Sequence, residues 1–260
     1  MRVARVVFLI VLLFLPLVQL NSQQTSSTIQ QDAQAVAILR QSIATMGTTV
    51  PTDSSATGTV TIVEGSTTQS GPIQILTRGI AQTIETLSLP DGQRSIIYSN
   101  GDAKEIFGPQ SENPPLELIV TEQSVLFPLP FLTALVRNAD ESIRYIGSET
   151  LNESLVQHIQ VSNTFASKPR LKKLASFSTT DIWFDSASGL PLKISYFRRA
   201  GGGSVPSIPV EVHFSNYTHV SGVLYPFQIQ RSLNGTPWQT ITIQNVSFGV
   251  GLADAQFQTE

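Results

Sequence analysis

The sequence predicts a mainly β protein of the α+β class, in which helices cover one side of a single large antiparallel sheet of about eleven strands. Three observations predict this fold. Short runs rich in Val, Ile, Thr and Phe recur along most of the chain. Tight-turn sequences separate these runs, and polar and apolar residues alternate within them. One amphipathic helical pattern precedes the first run.

The helical pattern spans residues 33–46. Its apolar side chains recur at three- and four-residue spacing and form one stripe: Val36, Leu39, Ile43 and Met46. Asp32 precedes the first turn and can cap it, and Gly47 follows the last turn, where a left-handed glycine commonly ends a helix. The pattern therefore predicts a helix that docks its apolar face on the rest of the protein.

The predicted strands form two groups separated by an interruption at residues 109–137. The first group is Thr57–Val63, Ile73–Arg78, Gln82–Leu89, Arg94–Ser99 and Lys104–Phe107. The second group is Leu155–Ser162, Thr180–Phe184, Leu192–Phe197, Val210–Tyr217, Phe227–Ser232 and Gln239–Phe248. Pro90-Asp91-Gly92, Asn100-Gly101 and Asn234-Gly235 are strong tight-turn signals. Because such turns join strands that are consecutive in sequence, we expect an antiparallel meander.

Alternation predicts that one face of this sheet is covered and that the other face is wet. The side chains predicted on the covered face are Val210, Val212 and Phe214 on one strand, Phe227 and Ile229 on the next, and Leu155, Gln157, Ile159 and Val161 on a third. Two interpretations of the covered face stay open. It is either a packed core, or a curved sheet that is wider than its filling and leaves an apolar cavity.

Residues 125–136 form a very apolar stretch within the interruption. Pro128 and Pro130 exclude a central strand, but Pro130 can open a short helix over Phe131–Arg137. The large apolar side chains of the stretch are Leu126, Phe127, Leu129, Phe131, Leu132 and Leu135. Because burying each one gains ~1.5–3 kcal/mol, they must cover something. We expect a plug or lid across the mouth or concave face of the sheet; a permanent core element and an interface for a protein partner are the alternatives.

Composition excludes several classes of function. The chain is 41% hydrophobic and only 13% charged, and its formal net charge is −3 at pH 7. A protein that relies on many phosphate contacts would be basic, so we expect no nucleic-acid partner. The absence of cysteine excludes disulfides and thiolate metal sites, and the chain has only three histidines. We therefore predict neither a metal site nor a cofactor.

Residues 1–22 have the layout of a secretory signal peptide. Basic residues precede an unbroken apolar run, Val6–Leu15, which Pro16 ends. The run is shorter than the ~20 residues that a membrane-spanning helix needs, and no Cys follows it for lipid attachment. We expect a cleaved signal peptide, a flexible segment over 23–31 and a single domain over 32–260. The mature protein is then periplasmic or secreted, with peripheral membrane contact or none.

A few polar side chains have the types that acid–base chemistry uses. His213 and His219, with Asp181 and Asp185, are the best candidates for a metal or acid–base set. However, His213 lies on the polar face of its strand, and Asp185 opens a turn in which Asp is favoured by local hydrogen bonding. The motifs of serine hydrolases, zinc proteases, dinucleotide-binding proteins and P-loop proteins do not occur. We therefore predict no catalytic residue and no enzyme activity.

The C-terminal hundred residues carry a resemblance to a known family. The relevant segments are Ile182–Ile194, which contains Trp-Phe-Asp-Ser-Ala-Ser-Gly-Leu-Pro-Leu-Lys, and then Phe214–Ile229, Ile241–Phe248 and Leu252–Phe257. They resemble the turn and strand signals of the outer-membrane lipoprotein-sorting, LolA/LolB-like superfamily, and the resemblance spans most of the mature chain. It implies a half-open β-barrel in which helices plug an apolar cavity that carries acyl chains. The Pro- and Phe-rich 109–137 insert departs from the family pattern, and no binding residue is carried over.

Together these features predict an exported protein that binds or carries an apolar ligand, either a lipid or the acyl chain of a lipoprotein. A transient protein partner in the cell envelope is a further expectation. A non-enzymatic interaction or scaffold module is the alternative function. The residues expected to contact the ligand, as cavity or lid, are Leu126, Phe127, Leu129, Phe131, Leu132, Leu135, Trp183, Val212, Phe214, Phe227 and Ile229.

Overall fold

A computed structural model describes residues 29–121, 125–198 and 207–259. Its strands are β1 (Asp53–Glu64), β2 (Thr67–Arg78), β3 (Gln82–Leu89), β4 (Gly92–Ser99), β5 (Asp102–Phe107), β6 (Gln110–Glu112), β7 (Glu141–Leu151), β8 (Ser154–Asn163), β9 (Thr180–Asp185), β10 (Pro191–Arg198), β11 (Ile208–Val220), β12 (Val223–Leu233) and β13 (Thr236–Phe248). Its α-helices are α1 (Ala33–Met46), α2 (Leu116–Thr121) and α3 (Pro128–Arg137), and 3₁₀ helices lie at Pro169–Phe177 and Asp254–Phe257. The predicted signal peptide and residues 23–28 lie outside the described residues.

The described residues form one thirteen-stranded antiparallel sheet in the order β6-β5-β4-β3-β2-β1-β13-β12-β11-β10-β9-β8-β7. The chain enters the sheet at β1 and meanders outward to the edge strand β6. It then crosses to the opposite edge, β7, and meanders back until β13 pairs with β1. Because β6 and β7 do not pair with each other, the curved sheet is an open half-barrel. The fold class predicted from the sequence is confirmed.

The crossover explains the interruption in the strand pattern. Residues 113–140 connect the two edges, and they contain α2 and α3. A connection of this length over the concave face must be apolar where it contacts the sheet. The helix predicted over Phe131–Arg137 is present and begins three residues earlier, with Pro128 in its first turn. Proline is favoured there because its missing N–H has no partner in a first turn.

Helix α1 has the predicted bounds and packs against α3. The Asp32 carboxylate accepts hydrogen bonds from the backbone N–H groups of Gln34 and Ala35. The expectation that Gly47 adopts a left-handed conformation is wrong, because its φ of 164° is that of an extended backbone. A Cβ on Gly47 would lie 3.3 Å from Val223 Cγ2, so glycine lets β12 approach the helix end closely. Close packing, rather than backbone handedness, therefore selects glycine at this position.

All eleven predicted strands are present, and the two that were missed, β6 and β7, are the edges of the sheet. β6 has only three residues, all exposed, and therefore no alternation to detect. β7 is interrupted by a register shift between Tyr145 and Gly147, which breaks its alternation. Edge strands are commonly short or bulged, because these features discourage pairing with other chains.

The predicted covered face is buried for most of its residues. Val210, Val212, Phe214, Ile159 and Val161 belong to one core cluster with α1, α3 and the surrounding strands. Leu155 was expected on this face, but it is 57% exposed. It lies directly after the Asn152-Glu153 turn of the β7–β8 hairpin, at the start of β8. Alternation identifies the face of a residue, but it does not show how far along the strand that face is covered.

The stretch 125–136 lies in the packed core. All six of its large side chains are buried, and the ring of Phe127 packs at a tilt against the ring of Tyr225 on β12, with 4.6 Å between the ring centres. The expectation that these side chains cover part of the concave face is confirmed, and the stretch offers no exposed apolar surface of the kind a protein interface requires. In the described part of the chain, no helix is both long and apolar enough to cross a membrane. The single-domain boundaries, 32–260, stay a prediction.

Gly58 provides a test of the central seam between β1 and β13. A Cβ on Gly58 would lie 2.1 Å from the carbonyl oxygen of Thr242, at a register shift between the two strands. Since neither backbone can move away without breaking ladder hydrogen bonds, we expect Gly58→Ala to lower the free energy of unfolding by about 3 kcal/mol. Urea denaturation measures this. The control Thr59→Ala, at an exposed position on the opposite face, should cost less than about 1 kcal/mol. Equal losses in the two variants would contradict the close approach.

Candidate functional site

A cavity of about 750 Å³ opens on the concave face beside the packed core. One wall comes from β3, β4, β5 and β6, and the other comes from β10, β11, β12 and β13. Phe107 and Glu112 at the β5–β6 edge are exposed and mark its mouth. The volume falls within the range of small-molecule sites, roughly 300–1,000 Å³. The helices therefore fill only part of the concave face.

Much of the cavity wall is apolar. Leu87 on β3, Ile96 on β4, Val210 on β11 and Leu233 on β12 point into it from opposite sides. Residues that are paired across neighbouring strands point to the same face of the sheet. Leu87 is paired with Arg94, and Val210 is paired with both Tyr196 and Leu233, and all of these residues line the cavity. An alkyl chain in contact with these side chains would be removed from water.

A buried polar network forms the inner end of the cavity. The Arg231 guanidinium lies 3.3 Å from the Glu85 carboxylate, and its Nη1 donates a 2.9 Å hydrogen bond to Gln239 Oε1. Gln239 Nε2 donates in turn to Glu85 Oε1 at 3.1 Å. Glu85 is only 2% exposed. A charge at this depth is tolerated because it is paired and hydrogen-bonded.

The network separates the packed core from the cavity. In the sheet, β3 and β12 are separated by β2, β1 and β13, so the Glu85–Arg231 pair reaches across the concave face. On the core side of the network, burial raises the pKa of the Tyr225 hydroxyl above its usual range, and the negative charge of Glu85 raises it further. Tyr225 packs against Phe127 of the crossover. The other side of the network faces the cavity.

A β-bulge brings Trp238 to the same wall. β12 and β13 pair as Arg231 with Gln239 and then as Ser232 with Pro237, so Trp238 is the extra residue. A bulge redirects a side chain, and consecutive residues Trp238 and Gln239 both line the cavity as a result. The Trp238 Nε1 atom is buried and has no hydrogen-bond partner among the described residues.

Arg94 lies near the mouth of the cavity and is held by acidic partners. Its Nη1 is 2.8 Å from Glu64 Oε1, and its Nη2 is 2.5 Å from Asp91 Oδ2. Its guanidinium also lies 5.3 Å from the centre of the Phe107 ring. These contacts fix the side chain and neutralise its charge.

The residues predicted from the sequence to contact ligand lie elsewhere. The six from the crossover, together with Val212, Phe214 and Ile229, are buried in the core, and Phe227 is half-buried against it. None of these ten residues lines the 750 Å³ cavity. Phe131 and Leu135 line a separate cavity of about 40 Å³, next to Glu141. A direct role of these residues in ligand binding stays a prediction.

Trp183 lies on the convex face, opposite the core. His158 stacks on its ring at 4.3 Å, and Lys193 Nζ lies 3.8 Å from the ring centre. His158 is also 2.9 Å from Asp181, and the Trp183 Nε1–H donates to Glu149. These side chains satisfy one another across neighbouring strands, which is typical of a structural ladder.

The residues considered for acid–base chemistry do not assemble. His213 and His219 are six residues apart on the single strand β11, or about 20 Å at the rise of an extended chain. His213 contacts Glu211 of its own strand at 3.3 Å. Asp185 accepts hydrogen bonds from Ser188 in its turn, as predicted. Within the described ranges, no group of three His, Cys, Asp or Glu side chains has the proximity that a metal ion requires.

The polar residues of the cavity wall were missed, although the sequence carries a signal for them. Arg231 lies at an inward position between Ile229 and Leu233, and Glu85 lies two residues before Leu87. A charged residue that shares a strand face with apolar residues two positions away is either buried or lines a cavity. A prediction that only counts alternating polar and apolar residues disregards it as an exception to the pattern.

Comparisons with known proteins identify the fold. The sequence matches no protein-family model and no curated protein. A LolA superfamily protein from Nitrosomonas europaea is 12% identical, with 86% of this chain and 97% of that chain covered and a TM-score of 0.57. An outer membrane lipoprotein-sorting protein domain from Vibrio parahaemolyticus is 13% identical, with coverage of 86% and 96% and a TM-score of 0.57. A DUF1329 family protein from Desulfovibrio piger is 12% identical, with coverage of 86% and 97% and a TM-score of 0.55. The chain has the LolA-like fold.

Glu141, beside the small cavity, makes stability depend on pH. Burial raises the pKa of its carboxyl from 4.5 to about 7, although Asn163 and Asn138 donate hydrogen bonds that oppose the rise. The folded state therefore holds this proton more tightly than the unfolded chain does. The stabilisation is complete below about pH 4.5 and is lost as the pH rises through about 7.

We expect Glu141→Gln, which keeps an oxygen acceptor for both asparagines, to remove this pH dependence. Near pH 4 the variant and the wild type should have similar free energies of unfolding. Near pH 9 the variant should be more stable by about 3 kcal/mol. Chemical denaturation at both pH values measures the difference. The exposed control Glu153→Gln should follow the wild type, and a Glu141→Gln variant that does the same would show that Glu141 is not the titrating group.

Proposed function

We propose that this protein is exported from the cytoplasm and binds the apolar portion of a lipid or the acyl chain of a lipoprotein. It carries this ligand without changing it chemically. The observation that carries the proposal is the 750 Å³ cavity on the concave face, open at the β5–β6 edge. Aliphatic side chains from both walls of the half-barrel line part of the cavity, and polar and charged side chains line the rest. This mixed lining and the volume suit an amphiphile.

The binding energy would come from burial. Each CH₂ group that leaves water for contact with Leu87, Ile96 or Val210 gains ~0.8 kcal/mol. A chain of several methylene groups therefore binds without a specific polar contact along its length. An arrangement of this kind accepts ligands by length and cross-section rather than by reactive chemistry.

Two further observations support the proposal. The fold is shared with proteins described as a LolA superfamily protein and as an outer membrane lipoprotein-sorting domain. The predicted signal peptide over residues 1–22 would deliver the chain to the periplasm or the exterior. The core position of residues 125–136 agrees with a plug that fills the rest of the concave face.

The first test is identification of bound lipid. Native mass spectrometry of the mature protein purified without detergent should reveal a co-purifying lipid, and extraction should identify it. Nile red, an uncharged lipophilic dye, should bind with a stoichiometry of one or two and increase in fluorescence. A protein that carries no lipid and takes up no dye would contradict the proposal.

A matched pair of variants locates the site. Ile96 points into the cavity from β4, and Gln93 is exposed on the opposite face of the same strand. We expect Ile96→Trp to weaken Nile red binding at least tenfold, because the indole ring occupies the space of the ligand. Gln93→Trp should bind Nile red as the wild type does. Equal affinities in the two variants would place the dye outside the cavity.

A further inference from the structure

The charges of the cavity wall balance. Three arginines and three glutamates line it: Arg94, Arg198, Arg231, Glu85, Glu105 and Glu112. Arg231 is paired with Glu85, and Arg94 is paired with Glu64 and Asp91. The cavity therefore presents no excess positive charge to an anionic ligand.

The most deeply buried pair makes a second charge unfavourable. Glu85 is 2% exposed, and the Arg231 side chain is 14% exposed. An anionic head group against this network would lose its hydration and would approach the Glu85 carboxylate. An uncharged head group avoids both costs.

Trp238 supplies a complementary contact for an uncharged head. Its Nε1 atom is buried at the cavity wall without a hydrogen-bond partner among residues 29–121, 125–198 and 207–259. An indole N–H only donates, so its complement is an oxygen acceptor such as an ester carbonyl or a hydroxyl. The Nε1 atom is itself shielded from the open cavity, so a ligand oxygen would reach it by a turn of the indole ring and would then satisfy a donor that the protein itself leaves unsatisfied.

We propose that the cavity selects an amphiphile with an uncharged, oxygen-bearing head group, of the acylglycerol class, and discriminates against the carboxylate of a free fatty acid. This inference rests on the proposed function, because it concerns the ligand of the same cavity. The head group lies at Trp238 and the Glu85–Arg231–Gln239 network, and the acyl chain follows the aliphatic wall. Specificity comes from the unfavourable burial of a charge as much as from the added hydrogen bond.

The test compares two ligands with the same acyl chain. 1-Lauroylglycerol and laurate compete with Nile red for the wild-type protein at pH 8, where laurate is ionised and both are below micelle-forming concentrations. We expect 1-lauroylglycerol to bind at least tenfold more tightly than laurate. Equal affinities, or tighter binding of laurate, would overturn the inference and leave the proposed function intact. If neither ligand nor Nile red binds, the proposed function and the inference both fail.

Two variants assign the selectivity to residues. Trp238→Phe keeps an aromatic ring but removes the donor, so 1-lauroylglycerol should bind about fivefold more weakly. Dodecane, which has no head group, should compete as it does with the wild type. Glu85→Gln leaves the charge of Arg231 without its carboxylate, so laurate should bind about tenfold more tightly while 1-lauroylglycerol changes less than threefold.

Circular dichroism and urea denaturation establish whether each variant is folded. If Glu85→Gln does not fold, the wild-type affinity ratio and the Trp238→Phe variant still decide the outcome. A Trp238→Phe protein that binds 1-lauroylglycerol as the wild type does would exclude the hydrogen bond. A folded Glu85→Gln protein without increased laurate affinity would exclude the electrostatic part of the inference.

Discussion

The structure depends on one geometric constraint: a thirteen-stranded sheet that curves without closing has a concave face too wide for its helices to fill. Antiparallel sheets bury one face and leave the other in water, so the concave face must be covered or must remain as a cavity. α1 and α3 pack together over the part of the concave face where Phe127, just before α3, contacts Tyr225 of β12. The region beyond them, toward the β5–β6 edge, is the 750 Å³ cavity.

The topology supplies the cover. The two meanders end at opposite edges of the sheet, so the segment between them has to cross the sheet. It crosses over the concave face, where the apolar, Pro- and Leu-rich residues 125–136 join the core. The same segment cannot also line the far end of the sheet, because α3 is only ten residues long. Core and cavity are thus two consequences of one connection.

The sequence predicts the regular parts of this arrangement and misses the parts that depend on distant pairing. α1, its Asp32 cap, the eleven inner strands and the Asn234-Gly235 turn follow from local patterns, and the structure has all of them. β6 and β7 lack a local signal because they are short or bulged. The cavity lining was missed for another reason. Glu85 and Arg231 meet only because β13 closes onto β1, and no pattern within β3 or β12 indicates their partner.

Two clusters of charged and aromatic side chains differ in what they leave unsatisfied. On the convex face, His158, Trp183 and Lys193 lie on the consecutive strands β8, β9 and β10, and each has a partner beside it. On the concave face, Glu85 and Arg231 come from strands that are not neighbours, and the adjacent Trp238 N–H has no partner in the described chain. Trp183 was expected from the sequence to contact a ligand, but its ring and its N–H already have partners within the protein. A buried donor at a cavity wall is the stronger indication of a ligand, because its free energy improves only when an acceptor arrives.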